Sequence, residues 1–124
     1  DSAEENDYLP RTYDKNCVVY TGTHDNDTIV GWFEKAKEED KQFARDYLNS
    51  TNDANIHWDA IRGAWSSVAN IAIAPIQDFL GLGSYARINT PGLASGNWQW
   101  RLKPNQLTDE LAQNIAKLTK TYSR

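Results

Sequence analysis

Asn16-Cys17-Val18-Val19-Tyr20-Thr21 runs directly into Gly22-Thr23-His24-Asp25-Asn26-Asp27-Thr28, and the fold turns on this stretch. The first half is a short apolar run rich in β-branched residues, the composition of a strand buried on both faces. It ends at Gly22, and polar groups follow at once. Asp27 or Thr28 can accept from the free N–H groups of a first helical turn. A helix is therefore expected from about Thr28 to Leu48. Ile29, Trp32, Phe33, Ala36, Phe43, Ala44, Tyr47 and Leu48 recur there at helical spacing, with Glu and Lys on the other side.

Upstream, residues 1–16 read as a polar lead-in, with Pro10 closing a turn. Downstream, the polar stretch from Asn49 to Asn55 ends the first helix. A second helix is expected over His57 to Ala69, with Trp58, Ile61, Trp65 and Val68 on one face. Ile71-Ala72-Ile73-Ala74 reads as another buried strand, with Pro75 near its end because proline breaks a ladder in mid-strand. Residues 84–104 show little periodicity and read as a long packed loop, a length that is often functional. A last helix starts near Thr108, where Asp109 and Glu110 favour its N-terminus. Leu111, Ile115, Leu118 and Tyr122 form its apolar stripe.

The order is strand, helix, helix, strand, loop, helix. Two strands buried on both faces favour a parallel sheet with crossover helices. Two such strands cannot stand alone, and the apolar helix faces exceed what they cover. The pattern is that of a slice of a larger α/β fold, for which a barrel is the natural candidate.

Composition narrows the function. The chain has 124 residues, 40% hydrophobic and 24% charged, compatible with a folded domain. Its net charge of −4 and pI near 5.1 give no basic footprint for nucleic acid. The longest apolar stretch, Ile71 to Ile76, is too short to span a membrane. The acidic start from Asp1 to Asp7 is the opposite of a signal peptide. One cysteine, Cys17, excludes an internal disulfide and fits a cytoplasmic setting. Five Trp and six Tyr suit core filling, and they also suit a sugar site, where pyranose faces pack on aromatic planes.

In α/β barrels the reacting groups sit where strands end. His24 and Asp25 lie just past the strand that ends at Thr21. The octet Thr21-Gly22-Thr23-His24-Asp25-Asn26-Asp27-Thr28 after Val-Val-Tyr resembles the signature of glycoside hydrolase family 77, the amylomaltases and plant disproportionating enzymes. Ser66 to Gly83 resembles that family's final barrel segment. Ala86 to Gly92 and Gly96 to Arg101 resemble its closing loop. One departure lies upstream: many members have Tyr-Leu-Pro-His-Asn-Tyr where this chain has Tyr8-Leu9-Pro10-Arg11-Thr12-Tyr13.

The resemblance implies a retaining 4-α-glucanotransferase in a (β/α)8 TIM barrel, acting on maltooligosaccharides and α-glucans with no cofactor. It implies one fragment over 1–124: a lead-in loop at 1–16, the last barrel strands, helices and closing loop at 17–104, and a C-terminal helix at 105–124. Its partner is the remainder of its own barrel, with no nucleic acid and no membrane, in the cytoplasm or in a plastid if the source is a plant. Retaining transfer uses a nucleophilic carboxylate and an acid/base carboxylate. By the resemblance, Asp25 matches a third carboxylate that holds the sugar at the cleavage point and stabilises its oxocarbenium-like state. His24 matches a histidine on the same sugar, and Asn89 a sugar-contacting asparagine of the closing loop. Nothing in the 124 residues matches the nucleophile or the acid/base.

The remaining chemistry-bearing residues have plainer roles. Asp27 and Thr28 are expected to start the helix, and Asp78, at a strand end, to hydrogen-bond structurally. His57 is a surface or packing histidine, and Cys17 a small core residue. Glu34, Glu38, Glu39 and Asp40 with Lys35, Lys37 and Lys41 make a solvated face. Two distant histidines and one cysteine have no metal-ligand spacing. Trp98 and Trp100 alternate, so in an extended segment they face opposite ways, and neither belongs to the primary site. A different reading is a non-catalytic glucan-binding or assembly module derived from the barrel end. It is favoured by the missing nucleophile and disfavoured by the unpaired sheet edges. A nucleotide-binding domain fails for want of a glycine-rich phosphate loop.

Overall fold

The computed structural model describes Leu9 and residues 14–124. The turn expected at Pro10, and the stretch from Tyr8 to Tyr13 apart from Leu9, lie outside the described residues. Two strands, β1 (Val18–Tyr20) and β2 (Ile71–Ile73), pair in parallel with Val19 opposite Ala72. Thr21 N donates to Ile73 O at 3.2 Å and carries the ladder one residue past β1. Parallel strands need a long crossover. Here it consists of α1 (Ile29–Lys35), α2 (Glu38–Leu48) and α3 (Ile56–Trp65). After β2 come a one-turn helix, α4 (Ile76–Phe79), an irregular segment, and α5 (Asp109–Thr121).

Helix α3 is the hub. It packs on α1, α2, α4, α5 and β2. Ile61, fully buried, joins Val19, Ala64, Trp65, Ala69 and Leu118 in the main core. Burying such a side chain contributes about 1.5–3 kcal/mol. Cys17 packs at the edge of this core, as expected of a small apolar residue. Trp65 Nε1 donates to Thr119 Oγ1 at 3.2 Å, so the indole keeps a partner while α5 docks. The stripe of α5 is as expected, and Thr108 caps it by accepting from Leu111 N.

The single helix expected over 28–48 is two. Ala36 and Lys37 are extended, with ψ of 151° and 152°. The break has a packing cause. In one straight helix Phe33 and Arg45 would be about 18 Å apart along the axis. The break turns α2 back, so the Arg45 guanidinium lies 5.4 Å from the Phe33 ring and Phe33, Ala44 and Ile56 form a second core. Helix α3 also ends at Trp65 rather than Ala69, and a 3₁₀ turn (Asp53–Asn55) leads into it.

The strands are not buried on both faces. Val19 is 2% exposed, but Val18, Tyr20, Ile71 and Ile73 are 40–53% exposed. Helices cover the face that carries Val19, and no described element covers the other. The apolar sequence of that second face is what made both strands read as doubly buried.

Candidate active site

Eight residues, 21–28, link β1 to α1, and their shape is set by side chains. Thr23 N and Oγ1 both donate to Asn26 Oδ1, at 2.7 and 3.0 Å, closing the tip. Thr28 caps α1 by accepting from Gly31 N at 3.0 Å. Asp27 does something else. Its Oδ2 accepts from Ser84 Oγ at 2.7 Å and Lys35 Nζ at 3.3 Å, while Oδ1 accepts from Thr28 N. Partial burial pushes the Asp27 carboxyl up, but donation from Ser84, Lys35 and Thr28 outweighs it and holds the group below its ordinary value. Lys35 stays on the solvated face, as expected, and from there also ties the loop to the chain beyond α4.

The crossing of these groups depends on Gly31. A Cβ there would sit 2.2 Å from Ser84 Oγ and 2.6 Å from Asp27 Oδ1. Alanine in mid-helix is ordinarily favoured over glycine by about 1 kcal/mol. Gly31→Ala is nevertheless expected to destabilise by about 1–3 kcal/mol, because the intruding methyl must push the Ser84–Asp27 pair apart. A lowered urea midpoint for the variant checks this; an unchanged or raised midpoint contradicts it.

His24 and Asp25 project from the tip, both about half exposed, with His24 Nε2 3.4 Å from Asp25 Oδ1. Asn89, sixty-four residues on, joins them. Its Nδ2 donates to Asp25 Oδ1 at 2.7 Å, and its backbone N donates to His24 O at 3.1 Å. The three residues singled out from the sequence therefore form one cluster. Asp25 Oδ2 takes no hydrogen bond from any described residue, which leaves a charged acceptor facing outward.

Two further residues belong to the cluster and were not assigned to it from the sequence. Arg87 donates from Nη2 to Asp25 O at 2.8 Å and from Nε to Asn89 O at 2.9 Å, bridging the two loops. Trp98 lies with its ring 5.1 Å from that of His24 and is 65% exposed. It is not extended: its φ is +60°, rare for a bulky residue, and its N donates to Ile88 O at 2.8 Å. The alternation expected of Trp98 and Trp100 is thereby lost. Asn97 holds the bend by accepting from Thr90 N and donating to Leu93 O.

Asp78 and His57 lie beneath the site. Asp78 is 2% exposed and hydrogen-bonded within the structure, as expected. Burial pushes its carboxyl up, opposed by Ile29 N, Thr21 and His57. His57 is half-buried and packs against Gly81, whose φ of +64° and lack of a Cβ admit the ring. Burial holds the His57 imidazole below its ordinary value. Among the described residues no group of three or more His, Cys, Asp or Glu could hold a metal ion, and no helix is long and apolar enough to cross a membrane.

A carboxylate, an imidazole and an amide gather beyond the end of a parallel strand, the place where α/β folds bind their ligands. The comparisons with known proteins narrow this. A family model described as 4-alpha-glucanotransferase matches residues 1–108. A 4-alpha-glucanotransferase from Clostridium butyricum is 53% identical over 96% of this chain, and one from Synechocystis is 52% identical over all of it. An amylomaltase from Streptococcus agalactiae, solved in complex with acarbose, superposes on the whole chain with a TM-score of 0.95 at 32% identity. The chain belongs to glycoside hydrolase family 77, the 4-alpha-glucanotransferases. It spans about a quarter of the length of these relatives: 25% of each of the three.

Proposed function

We propose that these 124 residues are the C-terminal part of a 4-α-glucanotransferase and supply one wall of its active site. The protein closes as a (β/α)8 barrel. Residues 1–16 lead in, 17–104 provide the last strands, their helices and the closing loop, and 105–124 the final helix. The open apolar face of Val18, Tyr20, Ile71 and Ile73 supports this, since it has the character of a barrel interior and needs the remainder of the barrel to cover it.

The reaction is a retaining transfer between maltooligosaccharides. A carboxylate attacks the anomeric carbon and forms a glycosyl–enzyme bond. The glycosidic bond breaks, and its oxygen takes a proton from a second carboxylic acid. An acceptor sugar hydroxyl then attacks the anomeric carbon, which breaks the glycosyl–enzyme bond and frees the first carboxylate, and its proton goes back to the second group. Both carboxylates come from outside these 124 residues. Asp25 holds hydroxyls of the sugar at the cleavage point and places negative charge beside the oxocarbenium-like carbon. His24 and Asn89 bind the same sugar. No cofactor takes part. The setting is the cytoplasm, or a plastid in a plant.

The observation that carries this reading is the Asn89 Nδ2–Asp25 Oδ1 bond of 2.7 Å, which joins the two segments of family resemblance into one outward-facing cluster. The test is incubation of the full-length enzyme carrying this segment with maltotriose. The expected products are glucose and longer maltodextrins. Glucose and maltose in equal amounts, with no longer chain, would mark a hydrolase instead.

A further inference from the structure

We propose that Asp78 is the positioning residue of the Asp25 loop: one buried carboxylate fixes where the loop leaves the sheet and where it enters the next helix. This rests on the role proposed for Asp25. Asp78 Oδ2 accepts from Thr21 Oγ1 at 2.7 Å, and Oδ1 accepts from Ile29 N at 2.9 Å. Thr21 is the first residue after β1, and Ile29 the first residue of α1. Everything between them, His24 and Asp25 included, hangs from the two oxygens of one group.

The place of Asp78 makes the tie consequential. It lies in α4, and the chain beyond α4 supplies Ser84, which holds Asp27, then Arg87 and Asn89, which hold His24 and Asp25. Gln77, next to Asp78, is buried and donates to Ala86 O at 3.2 Å, bracing this segment at its middle. Residues 77–89 therefore carry both the anchor of the Asp25 loop and the partner of the Asp25 carboxylate. A shift of the loop relative to α4 would separate Asp25 from Asn89.

Asp78 is 2% exposed, so it does not touch sugar. Its influence has to pass through Asp25. A carboxylate is also a costly choice for a buried tie, since its charge loses water and gains two neutral donors in exchange. Its advantage is geometric. Two oxygens about 2.2 Å apart on one short, rigid side chain reach both ends of the loop with charge-assisted bonds. A misplacement of about 1 Å at a reacting centre costs roughly 100-fold in rate.

The test is a cycle of variants in the full-length enzyme, with kcat, KM and the urea midpoint measured for each. Asp78→Ala removes both bonds and is expected to lower kcat roughly 10- to 100-fold with little change in KM. Asp78→Asn keeps an acceptor for Ile29 N and offers a donor to Thr21, and is expected to recover most of that loss. Combined with Asp25→Asn, Asp78→Ala should slow the enzyme little further, because the group it positions is already disabled. A lowered midpoint with unchanged kcat would overturn the proposal, as would losses that multiply in the double variant. Thr21→Val cuts one bond only and serves if Asp78→Ala fails to fold; it should lower kcat several-fold, and an unchanged kcat there overturns the proposal too. Near-normal turnover of Asp25→Asn alone would instead sink the Asp25 reading, a separate result.

Discussion

Replacing Asp25 by asparagine in the full-length enzyme is expected to cut turnover by at least about 100-fold, the scale seen when one stabiliser of transition-state charge is lost. The substitution is nearly isosteric, and Asp25 is half exposed, so the fold should not change. What changes is charge. The carboxylate is fixed by Asn89 at 2.7 Å and approached by His24 at 3.4 Å, so it costs no rearrangement when positive charge develops on the sugar. An amide removes that charge, and if its NH2 faces Asn89 it also sets donor against donor. The loss should appear in kcat and kcat/KM together, because the interaction matters most in the transition state. Near-normal turnover would remove Asp25 from the role given to it.

The second large effect concerns the 124-residue chain by itself. Purified alone, it is expected to transfer no glucan at a measurable rate. Retaining transfer needs a nucleophile and an acid/base; the resemblance matches no carboxylate of this chain to either, and several of the described ones hold structural contacts instead. Asp27 is bonded to Ser84 and Lys35, Asp78 is buried under the loop, Asp53 and Glu38 pair with Arg45, and Asp59 pairs with Arg62. The open face of Val18, Tyr20, Ile71 and Ile73 also presents apolar surface and unpaired strand edges, so the isolated chain should be prone to associate. Glucose release from maltotriose by the pure chain, above the level of a buffer control, would show that it holds both missing groups.

Much of this site was legible in the residues. Cys17 to Thr21 and Ile71 to Ala74 announced two strands by β-branched and apolar runs. The octet placed His24 and Asp25 at a strand end, and Asn89 followed from the resemblance of the closing loop. The structure brings the three together. What escaped has physical reasons. The break at Ala36-Lys37 has no Gly or Pro to mark it, because tertiary packing of Phe33 against Ala44 and Ile56 imposes it. The bend at Trp98 is equally silent, since a non-glycine at positive φ is held there by Asn97 and by the Ile88 carbonyl. Arg87 acts through carbonyl oxygens of Asp25 and Asn89, contacts that leave no pattern in a sequence. The strand face of Val18, Tyr20, Ile71 and Ile73 is open among the described residues because apolar composition says that a face is to be covered, not which segment covers it.

The most direct test of the central claim is a crystal structure of the full-length enzyme with acarbose, the ligand held by the related Streptococcus agalactiae amylomaltase. The expected result is a ring of acarbose at the cleavage point with its hydroxyls about 2.6–3.2 Å from the Asp25 carboxylate and from His24, and with Asn89 beside them. The same structure should show β1 and β2 paired into a closed barrel. Acarbose bound away from this wall, or Asp25 turned from the sugar with Asn89 unbonded to it, would contradict the account.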